Sequence, residues 1–181
     1  MENRKDLTKR LIADSFKTLM LRHSFEKISI LMITNEAGIR RPSFYNHFQD
    51  KYDLLEWIVD TEVVAPAEPL LRTGARREAL AGLFSRLSEN AAFYRKAFSV
   101  TGQNGFEEAF VARMRDLFLR SVALPSPAGH AELLPDRIVA AFHAVCFVSV
   151  VKTWLEGSRD SSVEELTDAY LYLISHSVWN E

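Results

Sequence analysis

The sequence predicts an all-α fold, on three observations. Apolar residues recur at spacings of three and four, the period of one helix face, and no segment alternates as a strand would. Glycines, prolines and capping residues fall between those periodic segments. The 181 residues are 48% hydrophobic, enough for a core in one domain or in one domain with a small module.

The first helix is expected over about residues 5–23, with Leu7, Leu11, Ile12, Phe16, Leu19 and Met20 as its apolar stripe. Ser29 is a good N-cap and Gly38 a good stop, so a second helix lies between them. A very short third helix follows over residues 42–47. Asp50 caps a fourth, Asp53 occupies its first turn where the helix dipole favours a carboxylate, and Pro66 and Pro69 should bend or end it. Residues 76–98 make one or two helices and residues 105–122 another. The stretch "LPSPAG" is a loop. Residues 134–157 form a long helix between Pro135 and Gly157. The last helix opens on two overlapping capping boxes, Ser161 with Glu164 and Ser162 with Glu165.

Charge is unevenly placed. The formal net charge is -2, but through Lys51 there are 10 Lys+Arg against 6 Asp+Glu, and beyond it 12 against 18. A basic head on an acidic body directs an anionic partner to the N-terminal part. The single cysteine, Cys146, excludes an intrachain disulfide and a cysteine zinc cluster. The N-terminus is charged and lacks the hydrophobic region of a signal peptide. The longest apolar run, residues 138–151, is shorter than the roughly 20 residues a bilayer span needs. A soluble, cytoplasmic protein with no membrane partner is expected. His47 has no Ser or Cys partner nearby in sequence. His143 and Cys146, three apart, read as a core pair, while Glu107-Glu108 and Glu164-Glu165 read as solvated helix ends. No catalytic residue, metal or cofactor is expected.

Helix, glycine turn, short helix is the helix-turn-helix pattern, here "ISILMITNEAGIRRPSFYNHF". Phe44 and Phe48, four apart, can pin the third helix to the core beside Ile28, Ile30, Met32, Ile33, Ala37 and Ile39. Pro42, Ser43, Asn46 and His47 then lie on the free face, small and polar enough to reach base edges in a major groove. Arg40 and Arg41 stand at its entrance, and Tyr45 can offer a hydroxyl to a phosphate. Lys51, beside the free amides of the next helix, is the expected phosphate anchor. Double-stranded DNA is the partner these residues suit.

Residues 11–55 resemble the DNA-binding domain of the TetR family of transcriptional regulators. The resemblance rests on an apolar first helix, then "FEKIS", an Ala-Gly-Ile turn, "SFYNHF" and "DKYDLL". It implies a helix-turn-helix domain over residues 1–50 and a helical effector-binding and dimerisation domain over residues 51–181. It implies that Ser29, Arg41, Ser43, Tyr45, His47 and Lys51 touch DNA, with Asn46 facing the same way. The chain departs from the family at Ser24 and Pro42, where glycine is common, and at Arg40, where Ser or Thr usually caps the third helix. Losing that cap costs about 1 kcal/mol and adds a cation facing DNA. The segment "FYRKAFSVTGQNGFEEAF", with the head, is similar to a subgroup that includes regulators of dihydroxyacetone kinase operons. The expected function is a dimeric regulator of a palindromic operator, its DNA affinity controlled by a small-molecule effector or a partner protein at the C-terminal domain. The alternative is a coregulator acting through a kinase-like partner protein.

In the body, Phe84, Phe93, Tyr94, Phe98, Phe106, Phe110 and Phe118 at helical spacing make either plain core or a lined cavity. If a cavity, its candidate ligand residues are Phe84, Tyr94, Phe98, Gln103 and Phe110. The helix over residues 138–155 is apolar nearly all round, which a monomer's surface helix should not be. With the last, amphipathic helix it supplies the candidate homodimer interface: Phe142, Phe147, Val151, Leu166, Tyr170, Leu173 and Ile174.

Overall fold

The structure, a computed structural model, describes residues 4–102, 105–121, 135–157 and 161–176. Every regular element among them is helical. The expected loop "LPSPAG" and Gln103 lie outside the described residues.

The head is built from α1 (Arg4–Arg22), a single 3-10 turn (Phe25–Lys27), α2 (Ile30–Glu36) and α3 (Arg41–Tyr45). Ile12, Phe16, Leu19 and Met20 of α1 point into the core, but Leu7 and Leu11 of the expected stripe are exposed. At about 100° per residue, Leu7 and Leu11 fall to one side of the arc that Ile12, Phe16, Leu19 and Met20 share. The Ser29 hydroxyl caps α2 by accepting from Met32 N at 3.2 Å. Gly38 ends the turn after α2 at φ +63, a left-handed backbone that a side chain disfavours. There Gly38 N donates to Asn35 O and Ile39 N to Thr34 O, a Schellman closure. Phe44 and Phe48 then bury fully beneath α3.

α4 (Lys51–Val59) starts at Asp50, whose carboxylate accepts from Tyr52 N at 2.8 Å and Asp53 N at 2.9 Å. The helix does not stop before the prolines. It widens into a π turn, Asp60–Val64, closed by Ala65 N to Asp60 O, and continues as α5 (Ala65–Arg72). In a plain α-helix the Pro66 ring would press on the carbonyl four residues back. The wide turn inserts one residue and relieves that clash.

Lys51 closes the head. Its Nζ donates to Phe25 O at 2.7 Å and Ile28 O at 2.9 Å, near Glu26 O at 3.4 Å and 4.3 Å from the Phe25 ring centre. The ammonium thus adds a second donor to Phe25 O, which already accepts from Ile28 N at 3.1 Å, and supplies one to Ile28 O; partial burial lowers its pKa.

The body comprises α6 (Arg76–Glu89), α7 (Ala91–Phe98), α8 (Phe106–Ser121), α9 (Asp136–Glu156) and α10 (Val163–Ser175). Asn90 splits the stretch expected as one or two helices into α6 and α7. α8 and α9 pack on each other more extensively than any other pair of elements. α9 has 21 residues, so it outruns the apolar stretch read from the sequence and is long and apolar enough to cross a membrane. One of its faces, with Ala140, Ala144, Phe147, Val148, Val151 and Leu155, packs into the core, while Ile138, Phe142 and Val145 on the rest of it are exposed. α10 begins with a capping box between Ser162 and Glu165 and sets Tyr170 edge-on to Phe84 at 6.0 Å.

Two sets of ties join head and body. Phe16 of α1 meets Phe93 of α7 edge-on at 6.3 Å, and Lys96 Nζ donates to Leu21 O at 2.9 Å. Lys17 of α1 pairs with Glu62 of the π turn at 2.7 Å. From α8, Arg113 reaches Glu56 at 2.6 Å and Asp60 at 3.4 Å, and Arg120 stands 3.8 Å from Glu68. Burial raises the Asp60 pKa, against the opposing pull of Arg113.

Two outcomes follow for stability. Lys51→Met keeps the stem but removes the ammonium's bonds to the Ile28 and Phe25 carbonyls, the latter keeping its bond from Ile28 N, so urea melts should show a loss on the order of 1–2 kcal/mol; an unchanged midpoint would rule out the carbonyl tie. Asp60 has a folded pKa above its unfolded one, so its ionised form opposes folding, and that penalty disappears as pH falls through the folded pKa. Asp60→Asn should therefore raise the melting temperature at neutral pH, with the gain fading in acid. A loss at neutral pH would mean that the Arg113 pairing outweighs burial.

Candidate nucleic-acid interface

α3 has five residues, under two turns, and its two sides differ sharply. Phe44 is fully buried and meets Phe48 at 5.7 Å, and Phe48 meets Trp57 of α4 at 5.6 Å. Opposite, Arg40, Arg41, Pro42, Tyr45 and Asn46 are exposed, with Ser43 and His47 half-buried. Arg40 is the N-cap residue and makes no side-chain cap, which leaves its guanidinium outside the helix. Pro42 sits in the first turn, where its missing N–H costs nothing. Seven of the eight candidate DNA contacts thus lie on α3, at its ends, or, for Ser29, at the N-terminus of α2.

The eighth, Lys51, is the first residue of α4, and its ammonium donates to backbone carbonyls of the head. No local signal announces this tie, because those carbonyls lie 23 to 26 residues earlier. A contact that was legible but missed joins Arg41 to Tyr45, four residues apart: Arg41 Nη2 donates to the Tyr45 hydroxyl at 3.1 Å.

In the body, Phe84, Tyr94, Phe98 and Phe110 are buried and packed ring to ring. Phe98 and Phe110 lie 6.0 Å apart, Phe93 and Tyr94 5.0 Å, and Phe84 and Phe147 5.1 Å. The Tyr94 hydroxyl is buried with no hydrogen-bond partner among the described residues, and burial raises its pKa far above the ordinary phenol. A groove of about 330 Å³ opens between α1, the π turn and α6, but Arg10, Asp14, Lys17, Glu62, Arg86 and Glu89 line it, not those rings.

The candidate dimer residues divide. Phe142 is 60% and Leu173 54% exposed, and Ile174 is exposed beside them, while Leu166 is half-buried against the core. Phe147 and Val151 are 0% and Tyr170 2% exposed. These three are corrected: they lie on the inward faces of α9 and α10 and belong to the protomer's own core. Val145 and Tyr172, which the sequence reading passed over, are exposed on α9 and α10.

Comparison with known proteins agrees with this architecture. Residues 12–58 match the family described as "Bacterial regulatory proteins, tetR family", and residues 77–176 that described as "Transcriptional regulator C-terminal region". The "HTH-type dhaKLM operon transcriptional activator DhaS" of Lactococcus lactis subsp. lactis (strain IL1403) is 32% identical over 170 residues, 93% of this chain and 89% of that protein. The solved structure of "Dihydroxyacetone kinase operon activator DhaS" matches with a TM-score of 0.64 at 27% identity, covering 93% of this chain and 94% of that one. A TetR transcriptional regulator from Streptococcus agalactiae 2603V matches with a TM-score of 0.61 at 21% identity, covering 94% and 95%, a likeness of fold. Members of the family are DNA-binding regulators, not enzymes. The chain belongs to the TetR family of transcriptional regulators.

Proposed function

We propose that this regulator acts as a homodimer in the cytoplasm, that its head, residues 1–50, lays α3 in the major groove, and that its body, residues 51–181, carries dimerisation and control. The observation that carries the reading is the division of α3: Phe44 and the adjoining Phe48 anchor it, and Arg40, Arg41, Ser43, Tyr45, Asn46 and His47 are left outside. Ser29 joins them from the start of α2. Two heads held at one separation read a palindrome with fixed half-site spacing. An effector or partner that shifts α8 moves the α4–α5 helix through Arg113 and Arg120, and DNA affinity changes by its preference between the two states.

The exposed apolar residues Phe142, Val145, Leu173 and Ile174 supply the interface between two copies, with Leu166 beside it. A protein partner as the controlling signal is favoured by one feature of the body: its aromatic set packs on itself, which suits a core more than a ligand lining. The relative named an activator of the dhaKLM operon suggests an activating role.

Three variants test the scheme. Phe142→Glu should leave the melting temperature near that of the wild type, give a monomer in sedimentation, and weaken operator binding; a persistent dimer would move the interface elsewhere. Arg40→Ala should weaken all DNA sequences alike and reduce the salt slope by about one. Asn46→Ala should change sequence preference instead, and an unaltered preference in gel shifts would remove it from the readers.

A further inference from the structure

Arg41 and Tyr45 are the first and last residues of α3, one above the other on its free side. Arg41 Nη2 donates to the Tyr45 hydroxyl at 3.1 Å, and the guanidinium carbon lies 5.6 Å from the Tyr45 ring centre. The Tyr45 ring is itself held edge-on, at 5.6 Å and 84°, by fully buried Phe44. A chain of contacts therefore runs from the core, through one ring, to an exposed cation. Pro42, in the first turn of α3, has a locked φ that suits the helix start. A free arginine at a helix start samples many rotamers and must be ordered on binding. This one is ordered in advance.

Resting on the reading of α3 as the recognition helix, we infer that Tyr45 is a positioning residue that aims Arg41 at a guanine, making Arg41 the principal base reader of each half-site. N-terminal residues of a recognition helix are those that meet base edges. After one Nη2 hydrogen is given to Tyr45, the guanidinium keeps enough N–H groups to pair with guanine O6 and N7. The Tyr45 hydroxyl, having accepted from Arg41, keeps its own proton for a phosphate. Lysine cannot replace this arrangement, because it lacks the planar fork.

The test is selection of binding sites from a pool of randomised DNA duplexes, using the full chain as wild type, Arg41→Lys and Tyr45→Phe. Both side chains are exposed, so matching thermal melts will verify that the variants fold. The wild type should enrich half-sites with one strongly preferred guanine. Arg41→Lys should lose about tenfold of that preference. Tyr45→Phe should lose part of it at the same position and no other, with an unchanged salt slope. The inference is overturned if Tyr45→Phe keeps the guanine preference that Arg41→Lys loses, or if Arg41→Lys leaves every preference intact. Failure of the wild type to enrich any sequence would instead overturn the DNA reading on which the inference rests.

Discussion

Everything at the exposed end of this molecule depends on pinning a helix too short to be stable alone. Five residues make barely one turn, far below the length at which an isolated helix persists in water. Phe44 and Phe48 supply the pin, and they serve because α1, α2 and α4 offer a continuous apolar floor through Ile12, Ile33 and Leu54. The floor is in turn closed by Lys51, whose ammonium ties the start of α4 to the carbonyls between α1 and α2. A hydrophobic anchor fixes the depth of α3, and a charged strut fixes the frame around it. With both supplied from behind, every forward-facing position on α3 is free to be polar.

Much of this was legible in the sequence, because most of it is local. Capping by Ser29, Asp50 and Ser162, the glycine turn at Gly38, and the four-residue spacing of Phe44 and Phe48 all act within one or two helical turns. What escaped is what acts at a distance or depends on direction. Lys51 looks in sequence like a cation at a helix start, and its tie to carbonyls 23 and 26 residues earlier leaves no local trace. Phe147 and Val151 were assigned to a subunit interface because α9 is apolar nearly all round, and periodicity does not tell which of two apolar faces turns inward. Phe142 and Val145 lie on the other face, exposed. The prolines bear on the connector in another way. Of the two outcomes expected, a bend or an end, the helix does not end: a π turn precedes Pro66, and Pro69 lies inside α5.

That π turn decides how a change in the body reaches the head. A helix interrupted at Pro66 would let head and body move separately. A plain α-helix would transmit any tilt whole. Here the connector is continuous, but one wide turn weakens it at the point where ion pairs grip it from opposite sides. Lys17 of the head holds Glu62, and Arg113 of the body spans Glu56 in α4 and Asp60 at the turn's first residue. These pairs are partly exposed, so each alone is worth little. Their effect is geometric: they fix the turn relative to α1 and α8 together. Because Phe93 and Lys96 also tie α7 directly to α1, the head is held at two points, not one. On the proposed homodimeric, DNA-binding reading, the two sets of ties separate two motions. A displacement of α8 alone, with α7 fixed, would act on α4 through Arg113 and so on the floor beneath α3. A displacement of α7 and α8 together would carry the head with them and change its separation from a second head. The first would loosen the hold of one α3 on DNA, and the second would alter half-site spacing while each α3 keeps its support.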